Sequence, residues 1–426
     1  MYRLFQYSLV IVLPLLLVMT ASARAADIKI LKYDSKGNPI GVEKVDPLKR
    51  SGKGTKKGTG RNSPTGGLQR DGNEVEPNQV LIISRARRLS AQVRSLGFTL
   101  LEEVELDSLQ SNLLVLRTPR GMELDAAIGL LRQRFPRATI DKNHRLNPSG
   151  AGTSPQSDYS KKMIGWGKVP LTCGAKLRLG MVDGLPDVTH PLLKGQRVYT
   201  KAFIRDGLPA VMDHSTSIAS ILVGKPYRKH PGGLLPGATL YAGGIFRRMP
   251  DGSRKGSLLA FFKALNWMAK QRVAVVNVSL VTANNKVMQK ILQQVVKNGQ
   301  VLVASASNKG PRAKTPYPAG YRQVISVTAI DRKWQVFHKA SHGEFLDFAA
   351  PGVDLVLTRC KGFAKRSGTS YSTPFITGLA AILIQSGNPP DPDLLRGKLR
   401  RYALDLGRKG HDPVYGYGVV RARPPC

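Results

Sequence analysis

From about Leu177 onward the chain alternates short, continuously apolar runs with longer amphipathic ones, and this alternation restricts the fold more than any other feature. "LRLGMVD" is followed by "HSTSIASILVG", "ATLYAGGIF" by "GSLLAFFKALNWMAKQ", "VAVVNVSL" by "KVMQKILQQVVKNG", and "QVLVASAS" and "QVISVTAI" by "RSGTSYSTPFITGLAAIL". A strand that is apolar at every position must be covered on both faces. A chain that returns through a helix each time adds its strands in parallel. The expected fold class is α/β, a mostly parallel central sheet covered by helices. In such sheets ligands collect at the carboxyl ends of the strands.

Residues 78–148 follow a different order. "NQVLIIS" reads as a strand, "RRLSAQVRSLG" as a helix, "LLEEVEL" and "SNLLVLRTP" as strands, "MELDAAIGLLRQRF" as a helix and "RATIDKNHRLNP" as a closing strand. β-α-β-β-α-β is the order of a small ferredoxin-like α+β module. Polar segments bracket it. Residues 26–77, with "KRSGKGTKKGTGRNSPTGG", read as a basic flexible linker, and residues 149–163 as an exposed linker open to proteolytic cutting. Residues 164–426 form the main domain. At residues 1–25, Arg3, an apolar run from Leu9 to Met19, and Ala23 with Ala25 have the pattern of a cleavable signal peptide. The run is shorter than the roughly 20 residues of a membrane span and contains Pro14, which disfavours an anchor. A secreted or periplasmic location is expected.

Lys and Arg number 65 against 28 Asp and Glu, a formal charge of +37, which suits an anionic surface as partner. Nucleic acid is disfavoured, because no recognisable binding motif accompanies the charge. Of Cys173, Cys360 and Cys426, an oxidising compartment allows one pair, and spacing does not choose which. None of the three lies in a short Cys/His cluster, so no zinc site is expected.

Three polar residues occupy strand ends or helix starts: Asp183 closes "LRLGMVD", His214 opens "HSTSIASILVG", and Ser370 opens the last long helix. Ser370 alone reads as a helix cap. With the other two it fits nucleophilic catalysis, which needs a hydroxyl, an imidazole to take its proton and a carboxylate to orient the imidazole; Asp, His, Ser is one known chain order. Asn308, after the buried run "VLVASAS", could donate to an oxyanion or simply form a turn before Gly310.

These residues, with "MVDGLPDVTHPLL", "DHSTSIASILVG", "VVNVSL", "ASASNKG", "YPAGYRQVISVTAID", "FLDFAAPGVDL" and "SGTSYSTP" in this order, resemble the subtilisin-like serine proteases over Ile164 to Arg423. The resemblance implies a serine endopeptidase without a cofactor, in which Ser370 attacks, His214 is general base and acid, Asp183 orients it and Asn308 donates to the oxyanion. It implies that a protein or peptide substrate binds as a strand between Ser279-Leu280 and Ala304-Ser305-Ala306. It makes the 78–148 module a prodomain that blocks the cleft, with self-processing between about Asn147 and Ser160. Leu192 stands where an aspartate commonly follows the His-Pro pair, so no calcium site is expected. Pro374 is expected within the first helical turn. Leu185-Pro186, Ser215, Val281-Thr282 and Ser372 depart from the family pattern and add bulk near the centre. The alternative is accordingly a catalytically impaired protein that keeps the fold and binds through its basic surface.

Overall fold

The computed structural model describes residues 28–33, 39–45, 75–86, 89–148, 151–153, 159–204, 212–249, 254–422 and 426. The segment read as a signal peptide and most of the 26–77 linker lie outside the described residues. The chain divides into two compact units, residues 1–68 and 69–426. In the first, β1 (Ile28–Tyr33) pairs antiparallel with β2 (Pro39–Val45), so part of the stretch read as linker is strand.

The second unit opens with β3 (Val75–Ser84), α1 (Leu89–Ser95), β4 (Thr99–Leu106), β5 (Ser111–Arg117), α2 (Leu124–Arg134) and β6 (Thr139–Pro148). Their sheet runs β6-β3-β5-β4, with every pair antiparallel. The two-residue period of a strand gives this sheet two apolar faces. Val80, Ile82, Leu114 and Leu116 pack with Val93, Ile128 and Leu131 of the module's own helices. Leu81, Ile83, Leu113 and Val115 point the other way, into a core shared with the main domain.

After β7 (Ala151–Thr153) and the single turn α3 (Ser160–Met163) the main domain follows. It comprises β8 (Arg178–Asp183), β9 (Val198–Ala202), α4 (Asp213–Val223), β10 (Thr239–Gly244), β11 (Phe246–Arg248), β12 (Arg254–Ser257), α5 (Leu258–Lys270), β13 (Val275–Val278), β14 (Leu280–Val281), α6 (Lys286–Lys297), β15 (Val301–Ser305), β16 (Val324–Ile330), β17 (Phe348–Pro351), β18 (Leu355–Thr358), β19 (Phe363–Ser367), α7 (Thr369–Gln385), α8 (Pro392–Arg400), β20 (Ala403–Leu404) and β21 (Val419–Val420).

The main sheet runs β20-β21-β17-β16-β15-β13-β8-β10-β9, and only the β20–β21 pair is antiparallel. One face is covered by α4 and α7, with Ile218, Leu222, Phe375 and Leu379 buried; the other by α5 and α6, with Phe261, Leu265, Val287 and Ile291 buried. Close packing fixes the α5 side: a Cβ on Gly180 of β8 would lie 2.8 Å from Met268 Sδ and 3.0 Å from Val276 Cγ2. The α/β expectation holds. Cys173 and Cys426 form a disulfide and Cys360 is free, which resolves the pairing that spacing left open. Among the described residues no helix is long and apolar enough to cross a membrane.

Candidate active site

Adjacent parallel strands end at one edge of the sheet, and the first site residue is the last residue of β8. Asp183 is fully buried; its Oδ1 accepts from the Gly184 amide at 2.6 Å and its Oδ2 lies 2.8 Å from His214 Nδ1. A carboxylate on Nδ1 fixes the ring and directs Nε2 away from the sheet. Nε2 is buried and has no hydrogen-bond partner among the described residues. His214 is the second residue of α4, and its ring lies 5.2 Å from that of Tyr371, which brings the start of α7 against it. Ser370, next to Tyr371, lies in the first turn of α7 with no solvent exposure. A hydroxyl there sits at the positive end of a helix of 17 residues.

Pro374 falls in the second turn of α7, not the first as the sequence suggested, because the helix begins at Thr369. It therefore lacks the N–H that would bond the carbonyl of Ser370, four residues back. Ser279 replaces that donor: its Oγ donates to the Ser370 carbonyl at 3.1 Å and accepts from Asn277 Nδ2 at 2.9 Å. Asn308 Oδ1 accepts from the Thr369 amide at 3.0 Å and from Thr369 Oγ1 at 3.1 Å, so Thr369 holds the amide's oxygen and not its NH2 group.

The end of β6 runs between two strands of the main domain. Arg145 and Leu146 pair antiparallel with Ser257 and Gly256 of β12, while Asn147 and Pro148 pair with Val281 and Leu280 of β14. Two residues further on, Ala151 to Thr153 pair antiparallel with Ser367 to Lys365 of β19, the strand that leads into Ser370. The module's chain thus crosses the edge of the sheet beside Ser370. Leu280 flanks this segment. Ala304 and Ser305 lie within the sheet, Ala304 paired with both β13 and β16 and Ser305 with β16; Ala306 donates its amide to Val327 O at 2.9 Å. The second flank is β12. Its sequence, Arg254-Lys255-Gly256-Ser257, has no apolar alternation to reveal a strand.

Residues 181–418 match the subtilase family, more than half of the chain. The chain is a subtilase. This subtilase is 30% identical over 210 residues to the minor extracellular protease Epr of Bacillus subtilis (strain 168), a match covering 49% of this chain and 32% of that protein. Subtilisin E of the same organism is 26% identical over 258 residues, covering 59% and 65%. The crystal structure of fervidolysin from Fervidobacterium pennivorans, a keratinolytic enzyme related to subtilisin, matches in fold with a TM-score of 0.66 at 20% identity, over 82% of this chain and 61% of that one. The chain thus spans from about a third to about two thirds of these relatives' lengths.

The departures of this subtilase from the family pattern are absorbed by their neighbours. Ser215 Oγ donates to the Leu185 carbonyl at 2.7 Å, tying the start of α4 to the turn after Asp183. The Leu185 side chain lies over Gly244, where a Cβ would come within 2.4 Å of it. Ser372 is buried against Gly352, whose added Cβ would lie 2.0 Å from Ser372 Oγ. The bulk goes into packing at Leu185 and a hydrogen bond at Ser215, whereas Ser372 Oγ is buried with no hydrogen-bond partner among the described residues.

Proposed function

We propose that the chain is a secreted or periplasmic serine endopeptidase, made as a precursor whose N-terminal module lies in its own substrate cleft and is removed by self-processing. The observation that carries this reading is the Asp183–His214 hydrogen bond placed against the start of α7 at Ser370, with the module's chain paired beside it as an added strand. Ser370 Oγ attacks the carbonyl carbon of the scissile peptide while His214 Nε2 takes its proton, and Asp183 stabilises the imidazolium. The oxyanion accepts from Asn308 Nδ2 and lies at the positive end of α7. His214 then protonates the leaving amine, the C–N bond breaks, and an acyl ester remains on Ser370. Water, deprotonated by the same imidazole, hydrolyses that ester and frees the serine. We place the self-cut in the link between Pro148 and Ala151, because the chain is paired on both sides of that link. The Cys173–Cys426 disulfide suits an oxidising compartment.

A fluorophosphonate probe tests the reading. The processed protein should be labelled at Ser370, and Ser370→Ala or His214→Ala should abolish labelling. Ser370→Ala should also leave the link between Pro148 and Ala151 intact. A folded, processed sample that takes no label, or a Ser370→Ala chain cut there as fast as the parent, would count decisively against it.

A further inference from the structure

Beside Asn308 the main domain opens into a pocket of about 540 Å³. Its walls are Val281 and Thr282, continuing from β14, the residues Ser307 and Lys309 on either side of Asn308, and the loop from Gly310 to Pro316, which includes Arg312 and Lys314. Three of its lining residues are cationic and none is acidic. The surrounding sequence has the same bias: between Asp251 and Asp331 the chain contains no Asp or Glu. Arg312 and Lys314 are exposed and Lys309 is half-buried, so their charges meet a ligand at the pocket mouth without a large desolvation cost.

We infer that this pocket selects an acidic side chain, glutamate or aspartate, on the residue whose carbonyl is cleaved in a separate substrate. The chain's own link has no acidic residue and is cut through being held in place by its pairing on both sides. The inference rests on the hydrolase reading above and adds its substrate class. A carbonyl oxygen that accepts from Asn308 places the side chain of its own residue nearest to Ser307 and Lys309, and these two line the pocket. Backbone pairing with β14 holds the residues before it and is indifferent to their side chains. Discrimination therefore falls to the pocket, where a carboxylate meets cations and an ammonium meets like charge. Val281 and Thr282 line the β14 side, and the cations lie at Lys309 and on the loop from Gly310 to Pro316.

The test uses the full chain activated by its own processing and a set of fluorogenic peptides identical except for Glu, Gln, Leu or Lys at the acyl side of the cut. The Glu peptide should exceed the isosteric Gln peptide by roughly tenfold in kcat/KM, with the Lys peptide slowest. Lys309→Gln and Arg312→Gln should lower the Glu-to-Gln ratio, and Arg312→Glu should bring it to one or below. The ratio in the parent should shrink as salt is raised toward 1 M, where screening acts over about 3 Å. Turnover of all four peptides with no advantage for Glu, or a ratio unmoved by the three substitutions, overturns this inference alone. No turnover of any peptide overturns the hydrolase reading and this inference with it.

Discussion

At the scale of single residues, the start of α7 depends on a donor outside the helix. Pro374 leaves the Ser370 carbonyl without its helical partner, and the Ser279 hydroxyl fills the gap while held by Asn277. Ser279→Ala would remove this donor from a carbonyl at the fully buried start of α7. A loss of about 1–3 kcal/mol in unfolding free energy is expected. Because the affected carbonyl belongs to Ser370 itself, kcat should fall more than KM rises. Denaturant melts with peptide kinetics check both, and an unchanged kcat would show that this bond does not position the nucleophile. From the sequence Ser279 could be placed only as a residue beside the substrate strand. The direction of its hydroxyl depends on where a helix 91 residues away packs, which no local pattern encodes. The positions of Asp183, His214 and Ser370 at element ends are legible for the opposite reason: each lies at the boundary of a periodic element that the sequence marks.

Elements show the same division. The parallel strands and their helices are visible as apolar periodicity, whereas β12 exists because β6 and β11 pair with it. The four residues of β12 have no strand signal of their own. The sequence also hides how β6 is anchored to α6. Asp141 Oδ2 accepts from the Lys286 amide at 2.7 Å, Asn285 Nδ2 donates to the Lys142 carbonyl at 2.9 Å, and the same Nδ2 lies 2.9 Å from His144 Nδ1. Burial lowers the pKa of His144 below the usual histidine value, with Lys142 adding to the effect and Asp141 opposing it. The folded state thus favours the neutral ring, which can accept from Asn285; a protonated Nδ1 would set donor against donor. A depressed folded pKa contributes stability that is present above the ordinary value of about 6.5 and lost as pH falls through the lowered one. In the Ser370→Ala chain, which the proposed self-processing would leave uncut, the melting temperature should drop between about pH 7.5 and 5.5, and less so with His144→Gln. Equal drops in the two proteins would assign the pH dependence elsewhere, for example to His190 or His342, which burial also lowers.

Across the whole molecule, charge links the module, the cleft and the substrate. Residues 164–426 carry 39 Lys and Arg against 13 Asp and Glu. The module meets this excess with acids: Asp107 pairs with Lys270 at 2.6 Å, Glu102 pairs with Lys263, and Asp141 accepts from the first amide of α6. The Lys270 hydrogen bond, with help from Asn266, holds the Asp107 carboxyl below the usual range. The surface around the cleft is therefore one that acidic groups approach readily, and the proposed removal of the module would expose it. A field of one sign steers oppositely charged partners over distances beyond contact, and dissolved salt weakens it within a Debye length of about 10 Å at 0.1 M. For an acidic protein substrate, kcat/KM should fall about tenfold or more between roughly 0.02 M and 0.5 M salt. For a short uncharged peptide with Gln at the cut it should stay nearly flat, because the peptide carries no charge to steer. A basic protein should respond in the reverse direction, its rate rising as repulsion is screened. Parallel measurement of the three substrates separates steering from a general salt effect on the enzyme: if all three change together, the excess of positive charge does not guide substrate to the cleft.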